Sequence, residues 1–204
     1  GALSVADLLA VLYGSLLRVD PARLDWPERD KVVCSKGHAG PALYAALALR
    51  GYFPLDWLAT LNQPGTRLPS HCDHRLTPGI DMTTGSLGQG VSTAVGLALG
   101  DRLKGRDNRV YLVVGDGELN EGQVWEAAMF AAHHRLDNLV AFVDHNGKQL
   151  DGPTRDILDL QDIPGRFAAF GWQAQSVDGQ DVEAIDRAVR TAWATEGRPH
   201  MIVL

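Results

Sequence analysis

"VYLVVGDGELNEG", Val110 to Gly122, decides the architecture: a run of strand character passes through Gly115-Asp116-Gly117 and opens into an acidic helix start. Asp-Gly is a strong hairpin signal when a second strand follows. Here the continuation is "EGQVWEAAMFAAHHRL", Glu121 to Leu136, whose apolar residues recur at helical spacing, so the turn leads from strand to helix. Glycines in such a turn let backbone N–H groups approach an anion at the helix N-terminus, where the dipole favours negative charge. A phosphate there would repel Asp116 unless a hard divalent cation lay between them, held octahedrally by carboxylate, carbonyl and phosphate oxygens.

Working outward, apolar strand patterns fall at Lys31–Ser35, Val110–Val114, Leu139–Val143, Trp172–Val177 and Met201–Leu204. Helical patterns alternate with them at Val5–Arg18, with Ser4 as N-cap and Asp7 at N3, then from Pro41 to a stop at Gly51, at Gln89–Lys104, at Glu121–Leu136 and at Val182–Thr195. The glycines inside Gln89–Lys104 each cost about 1 kcal/mol against alanine, so a packing or ligand reason is expected for them. Continuous apolar strands alternating with helices predict an α/β fold, three-layer and doubly wound, with a mostly parallel sheet covered by helices on both faces. In such sheets ligands bind outside the carboxyl ends of the strands. The segments after Ser35 and Val114, and Asn146 after Val143, lie at that edge.

The totals agree with a single globular domain over 1–204: 204 residues, 45% hydrophobic and 22% charged, with 22 glycines that invite backbone contacts to a ligand. A net charge of −6 without any Lys/Arg block speaks against nucleic acid as a partner. There is no long uncharged apolar run and no basic leader region, so no membrane partner is expected, and two cysteines, Cys34 and Cys72, suit a reducing, cytoplasmic setting. The chain opens at Gly1 without methionine and stops inside "HMIVL", so the domain is expected to be cut at both ends.

A second loop, "VDHNGKQLDG" (Val143 to Gly152), could complete a cation site: Asn146 offers an amide oxygen, and residues after Gly147 can turn a main-chain carbonyl inward. Asn-Gly by itself is equally an ordinary turn. "HCDH", His71 to His74, crowds imidazoles, a thiol and a carboxylate, but ligands so close in one loop rarely complete a tetrahedral zinc site and no second pair stands at a standard spacing. Trp125, Met129 and Phe130, at helical spacing, are expected in core or interface packing, and His133, His134 and Glu126 on a solvated or dimer-facing surface.

The "GDG" turn, followed by helix, strand and Asn146, resembles the diphosphate-binding motif of thiamine diphosphate enzymes. Four blocks narrow the resemblance to the N-terminal, diphosphate-binding (PP-type) domain of the transketolase family: "GALSVADLLAVLY", "SKGHAGPALYAALALRGY", "PSHCDHRLTPGIDMTTGSLGQG" and "GDGELNEGQVWEAAMFAAHHRLDNLVAFVDHNGKQLDG". In order and spacing they cover nearly the whole chain. The resemblance implies thiamine diphosphate and Mg²⁺, or Ca²⁺ or Mn²⁺ substituting, with Asp116, Asn146 and the main-chain carbonyl of Lys148 as metal ligands. It implies that Gly117 gives its N–H to the diphosphate, that Leu150 sits near the thiazolium, and that Gly85 and Leu87 contact the cofactor near its aminopyrimidine. Glu121 would join a carboxylate network between the two active sites of a dimer. His38 and His71 would line the substrate channel, His38 also touching cofactor, a task suited to imidazoles that exchange protons near neutral pH. Two positions depart from the family: Ser70 stands where glycine is commoner, and Cys72 where proline is.

The implied activity is transfer of a two-carbon ketol unit from a ketose or ketose phosphate donor to an aldose or aldose phosphate acceptor, with the cofactor supplying the carbanion chemistry. In the family the glutamate that activates the aminopyrimidine lies on a separate pyrimidine-binding domain. The chain therefore resembles the N-terminal subunit of a split transketolase, expected to self-associate and to act only with a C-terminal subunit carrying that domain. Two other readings stand beside it: a thiamine diphosphate enzyme that forms acyloins or decarboxylates 2-oxo acids, and a non-catalytic scaffold subunit. Retention of Asp116, Gly117 and Asn146 speaks against the last.

Overall fold

The computed structural model describes all 204 residues. In chain order the main elements are α1 (Ala6–Val11), β1 (Lys31–Cys34), α2 (Gly40–Arg50), α3 (Gln89–Leu103), β2 (Val110–Gly115), α4 (Gly122–His133), β3 (Leu139–Asp144), β4 (Lys148–Gln149), β5 (Gly152–Pro153), α5 (Thr154–Ile157), α6 (Ile163–Ala169), β6 (Gln173–Ser176), α7 (Val182–Trp193) and β7 (His200–Val203). Five strands form one parallel sheet in the order β1-β2-β3-β7-β6, while β4 and β5 make a small antiparallel ribbon beyond the end of β3.

Alternation along the buried strands feeds two cores. Val32, Cys34, Tyr111, Val113, Val140, Phe142 and Ile202 pack under α1, α2 and α7. Their neighbours Val33, Leu112, Val114, Ala141, Val143, Met201 and Val203 pack under α3, α4 and α6. With both faces covered, β2 and β3 are buried along their whole lengths, which is why their sequences read as unbroken apolar runs.

Local signals act where expected at several ends. Gly51 closes α2 in the left-handed region at φ 93°, and the Asp181 side chain accepts from the N–H groups of Glu183 and Ala184 to start α7. Ser4 does not cap α1. Its hydroxyl lies 2.6 Å from Asp144 Oδ2 instead, so a residue expected to serve a helix end ties the N-terminal segment to the end of β3. The first helical stretch closes with a π turn over Leu12–Leu16, short of Arg18. The glycines of α3 divide: a Cβ on Gly90 would lie 2.5 Å from Ser35 Oγ, whereas Gly96 and Gly100 meet nothing, so the expected packing reason holds only for the first.

Candidate functional site

The parallel register carries three loops to one edge. Ser35–His38 follows β1, Asp116 follows β2, and Asn146 lies beyond β3, whose last residue, Asp144, pairs with Gly115. The β2–β3 pairing fixes the key contact, since the N–H of Asp116 reaches the carbonyl of Asp144 at 3.2 Å. The Asp116 carboxylate, 4% exposed, accepts from the N–H of Gly117 at 2.9 Å and of Gly147 at 2.8 Å, with Thr154 Oγ1 at 3.4 Å. It takes part in no ion pair with Lys, Arg or His. Asn146 stands beside it, its Oδ1 accepting from the Lys148 N–H at 3.0 Å and its Nδ2 donating to Asp144 Oδ2 at 3.2 Å. Asp116, Gly117, Asn146 and Lys148 are thus brought together, and Leu150, fully exposed, sits at the tip of the β4–β5 ribbon.

Gly117 explains itself sterically. A Cβ there would come within 2.8 Å of Gln149 Cβ, so the turn and the ribbon touch only because the residue has no side chain. Gln149 Nε2 is buried beside this turn and has no acceptor. An orphaned donor next to a glycine turn is a place for an anionic oxygen.

The second half of the site is a junction of the glycine-rich loops. A Cβ on Gly37 would lie 2.9 Å from the carbonyl oxygen of Thr84, and one on Gly85 would lie 3.2 Å from the His71 ring. His38 and His71 therefore stand at the same mouth, both open to solvent. Partial desolvation and the nearby Lys36 ammonium hold the His38 pKa below the ordinary imidazole value, with His71 adding to the effect, so His38 is neutral at pH 7. Leu87 is half-buried, its carbonyl accepting from Gln123 Nε2 at 3.4 Å. Glu121 is exposed at the entry to α4.

Three supporting residues, Lys36, Asp144 and Glu118, are not singled out by the sequence reading. Lys36, 1% exposed, forms an ion pair with the Asp144 carboxylate. Glu118, likewise buried, accepts from Ser35 Oγ, from the Gly88 N–H at 2.8 Å and from the Gly115 N–H at 3.2 Å, so one carboxylate ties the β1 loop, the start of α3 and the end of β2. Burial raises its pKa, against the lowering effect of those donors. The available signal is position: charged residues directly at the ends of buried parallel strands have no solvent to go to.

Over residues 1–204 the chain matches the family described as "Transketolase, thiamine diphosphate binding domain". The chain belongs to this transketolase domain family. It is 56% identical over 204 residues to the 6-deoxy-6-sulfo-D-fructose transketolase subunit SqwG of Clostridium sp. strain MSTE9, covering all of this chain and 74% of that protein. It is 39% identical over 201 residues to an apulose-4-phosphate transketolase subunit of Actinobacillus succinogenes, covering 98% of this chain and 72% of that one. Among solved structures, the transketolase of Campylobacter jejuni superposes with a TM-score of 0.91 at 32% identity over 98% of this chain. A transketolase variant from Pichia stipitis gives 0.90 at 31% identity over the whole chain. The chain spans 32% and 35% of those two longer chains respectively. The fold expected for a thiamine diphosphate-binding domain is thus the fold observed, and no helix is long and apolar enough to cross a membrane.

Proposed function

We propose that the chain is the cofactor-binding subunit of a split, cytoplasmic transketolase that holds thiamine diphosphate through Mg²⁺ and transfers a ketol unit with a pyrimidine-domain partner. The observation that carries the reading is the buried Asp116 carboxylate, which has hydrogen-bond donors but no cationic partner, set beside the unpaired Gln149 Nε2. A buried anion without a countercharge and a buried donor without an acceptor fit a divalent cation and a diphosphate respectively. Asp116, Asn146 Oδ1 and the Lys148 carbonyl would hold the metal, and Gly117 the diphosphate. Gly85 and Leu87 would flank the aminopyrimidine and Leu150 the thiazolium, with Glu121 facing the second site of a self-associated assembly.

When bound, the cofactor supplies the nucleophilic carbon and the electron sink for cleaving a ketose C–C bond. The chain's own groups bind and move protons. His38, neutral at pH 7, can accept a hydroxyl proton or donate to a carbonyl oxygen, and His71 shares its mouth. Lys36, Asp144 and Glu118, all buried, keep the loops in register. Two relatives are named for the donors 6-deoxy-6-sulfo-D-fructose and apulose-4-phosphate. The greater likeness to the first makes the sulfonated ketose the first donor to try.

A thermal melt with thiamine diphosphate plus Mg²⁺, with and without a candidate partner protein, tests binding. At 100 times its Kd the cofactor stabilises by about 2.7 kcal/mol, and Asp116→Asn abolishes the shift. Ketol transfer by the reconstituted pair supports the reading, whereas pyruvate decarboxylation without ketol transfer overturns it.

A further inference from the structure

The chain has two cysteines, Cys34 and Cys72, both free and both buried in the same core cluster, which lies under the histidine mouth. Cys34 ends β1 and Cys72 follows His71, yet one residue binds both: Thr84 donates its hydroxyl to the Cys34 carbonyl at 2.7 Å and its N–H to the Cys72 carbonyl at 3.0 Å. Each thiol perturbs the ionisation of the other, as close neighbours do. Outwardly they face the loop between them and the site, Cys34 Sγ lying 3.4 Å from the Lys36 carbonyl and Cys72 Sγ 4.0 Å from that of Gly37. They are 3% and 1% exposed. A structural cysteine needs no partner thiol, and Cys72 occupies a position where an apolar residue would fill the same core.

We propose that Cys34 and Cys72 are a reversible dithiol site, which a hydroperoxide converts to an intrachain disulfide that locks the Lys36–His38 loop against the His71 loop. The neighbouring Cys34 thiol and the polar groups around it hold the Cys72 thiol pKa below its ordinary value, while Cys72 and then burial raise that of Cys34. Cys72 is therefore the attacking sulfur. Its thiolate displaces alkoxide or hydroxide from the O–O bond, giving a sulfenic acid. Cys34 attacks that sulfur and expels water. In sum two thiols and one hydroperoxide give one disulfide, one alcohol (water from hydrogen peroxide) and one water; the sulfurs lose two electrons and the O–O bond gains them. Entry requires local opening of the exposed His71 segment, a smaller event than unfolding.

The effect on catalysis rests on the transketolase reading; the chemistry of the pair does not. The full chain is treated with equimolar hydrogen peroxide, quenched with iodoacetamide under denaturing conditions and analysed by intact mass and peptide mapping. The expected product is monomeric, lighter by about two hydrogens, without alkylated cysteine, linked Cys34 to Cys72, and restored by dithiothreitol. Both thiols still alkylated, oxygen added without a link, or a link between two chains would overturn the proposal. Cys34→Ala leaves no resolving thiol, so Cys72 stops at sulfenic acid, trapped by dimedone. In the reconstituted pair, ketol transfer falls at least tenfold on oxidation and returns on reduction; unchanged turnover of the cross-linked protein refutes the lock. A reduced protein that shows no cofactor-dependent melt shift would refute the transketolase reading alone, since the mass result does not depend on it.

Discussion

Lys36 and Asp144 form a buried ion pair that crosses over β2, joining the end of β1 to the end of β3 at the functional edge of the sheet. Asp144 also accepts from Ser4 Oγ and Asn146 Nδ2, so its charge is shared by the N-terminal segment and the candidate metal loop.

Such a pair is expensive to break, because removing one member strands the other charge in the core. Lys36→Met should lower stability by about 3–5 kcal/mol, measured by urea denaturation at pH 7. Lys36→Met with Asp144→Leu should recover a large part of that loss while still disordering the Asn146 loop. If the double variant is no more stable than the single, uncompensated charge is not the cause.

The glycines of α3 give a paired prediction. At Gly90 a Cβ would press on the Ser35 backbone and Oγ, so Gly90→Ala should destabilise by about 1–3 kcal/mol and loosen the Ser35–Glu118 contact. At Gly96 and Gly100 the space is open and the backbone helical, so alanine there should stabilise by about 0.5–1 kcal/mol. Thermal melts of the three variants check the contrast. A loss at Gly96 or Gly100 would mean that a neighbouring chain packs on that face.

How much of the fold and site is legible in the sequence follows from where each signal resides. The β2 run "VYLVVG" and its partner "LVAFVD" declare a doubly covered parallel sheet because every residue is apolar until the strand leaves the core. The strand-to-helix turn at Asp116 follows from its successor, and Asn146 from the next strand's end. Lys36, Glu118 and Gln149 are not legible, because their importance comes from pairs distant in sequence: Lys36 with Asp144, Glu118 with Ser35 and Gly88, Gln149 with Gly117. Ser4 misleads for the same reason. Its local context is that of an N-cap, but a buried carboxylate at the end of β3 competes for its hydroxyl. Short elements such as α6 and the β4–β5 ribbon carry too few residues to display a period.

His200 supplies a pH dependence. It is buried at the start of β7 with Nε2 3.3 Å from the Thr195 carbonyl, and burial lowers its pKa below the ordinary value of 6.5. Between that value and the lower folded-state pKa, the unfolded chain binds a proton that the folded chain refuses. Stability therefore falls as pH drops through about 6.5 and levels off below the folded-state pKa. His38 shifts in the same direction, more openly exposed. His200→Gln should flatten the wild-type slope of unfolding free energy between about pH 7 and pH 5. An unaltered slope would assign the acid sensitivity elsewhere. The buried carboxyls Glu118, Asp81 and Asp30 have pKa values raised by burial and act in the opposite sense, adding stability as pH falls from their raised folded-state values toward the ordinary carboxyl values.

Gln149 separates stability from binding most cleanly. Its Nε2 is buried with no acceptor while its side chain lies against Gly117, so in the cofactor-free chain it is a cost. Gln149→Leu keeps approximate volume and removes the orphan, and should raise cofactor-free stability by up to about 1 kcal/mol. If the donor is placed for a diphosphate oxygen, the same change forfeits a charge-assisted hydrogen bond, and thiamine diphosphate affinity in the presence of Mg²⁺ should weaken about tenfold or more. Titration calorimetry of the two proteins reads the affinity and urea melts read the stability. Opposite signs in the two measurements are the expected signature. Equal affinities would remove Gln149 from the diphosphate site, and a loss of cofactor-free stability would show that its amide already has a partner in solution.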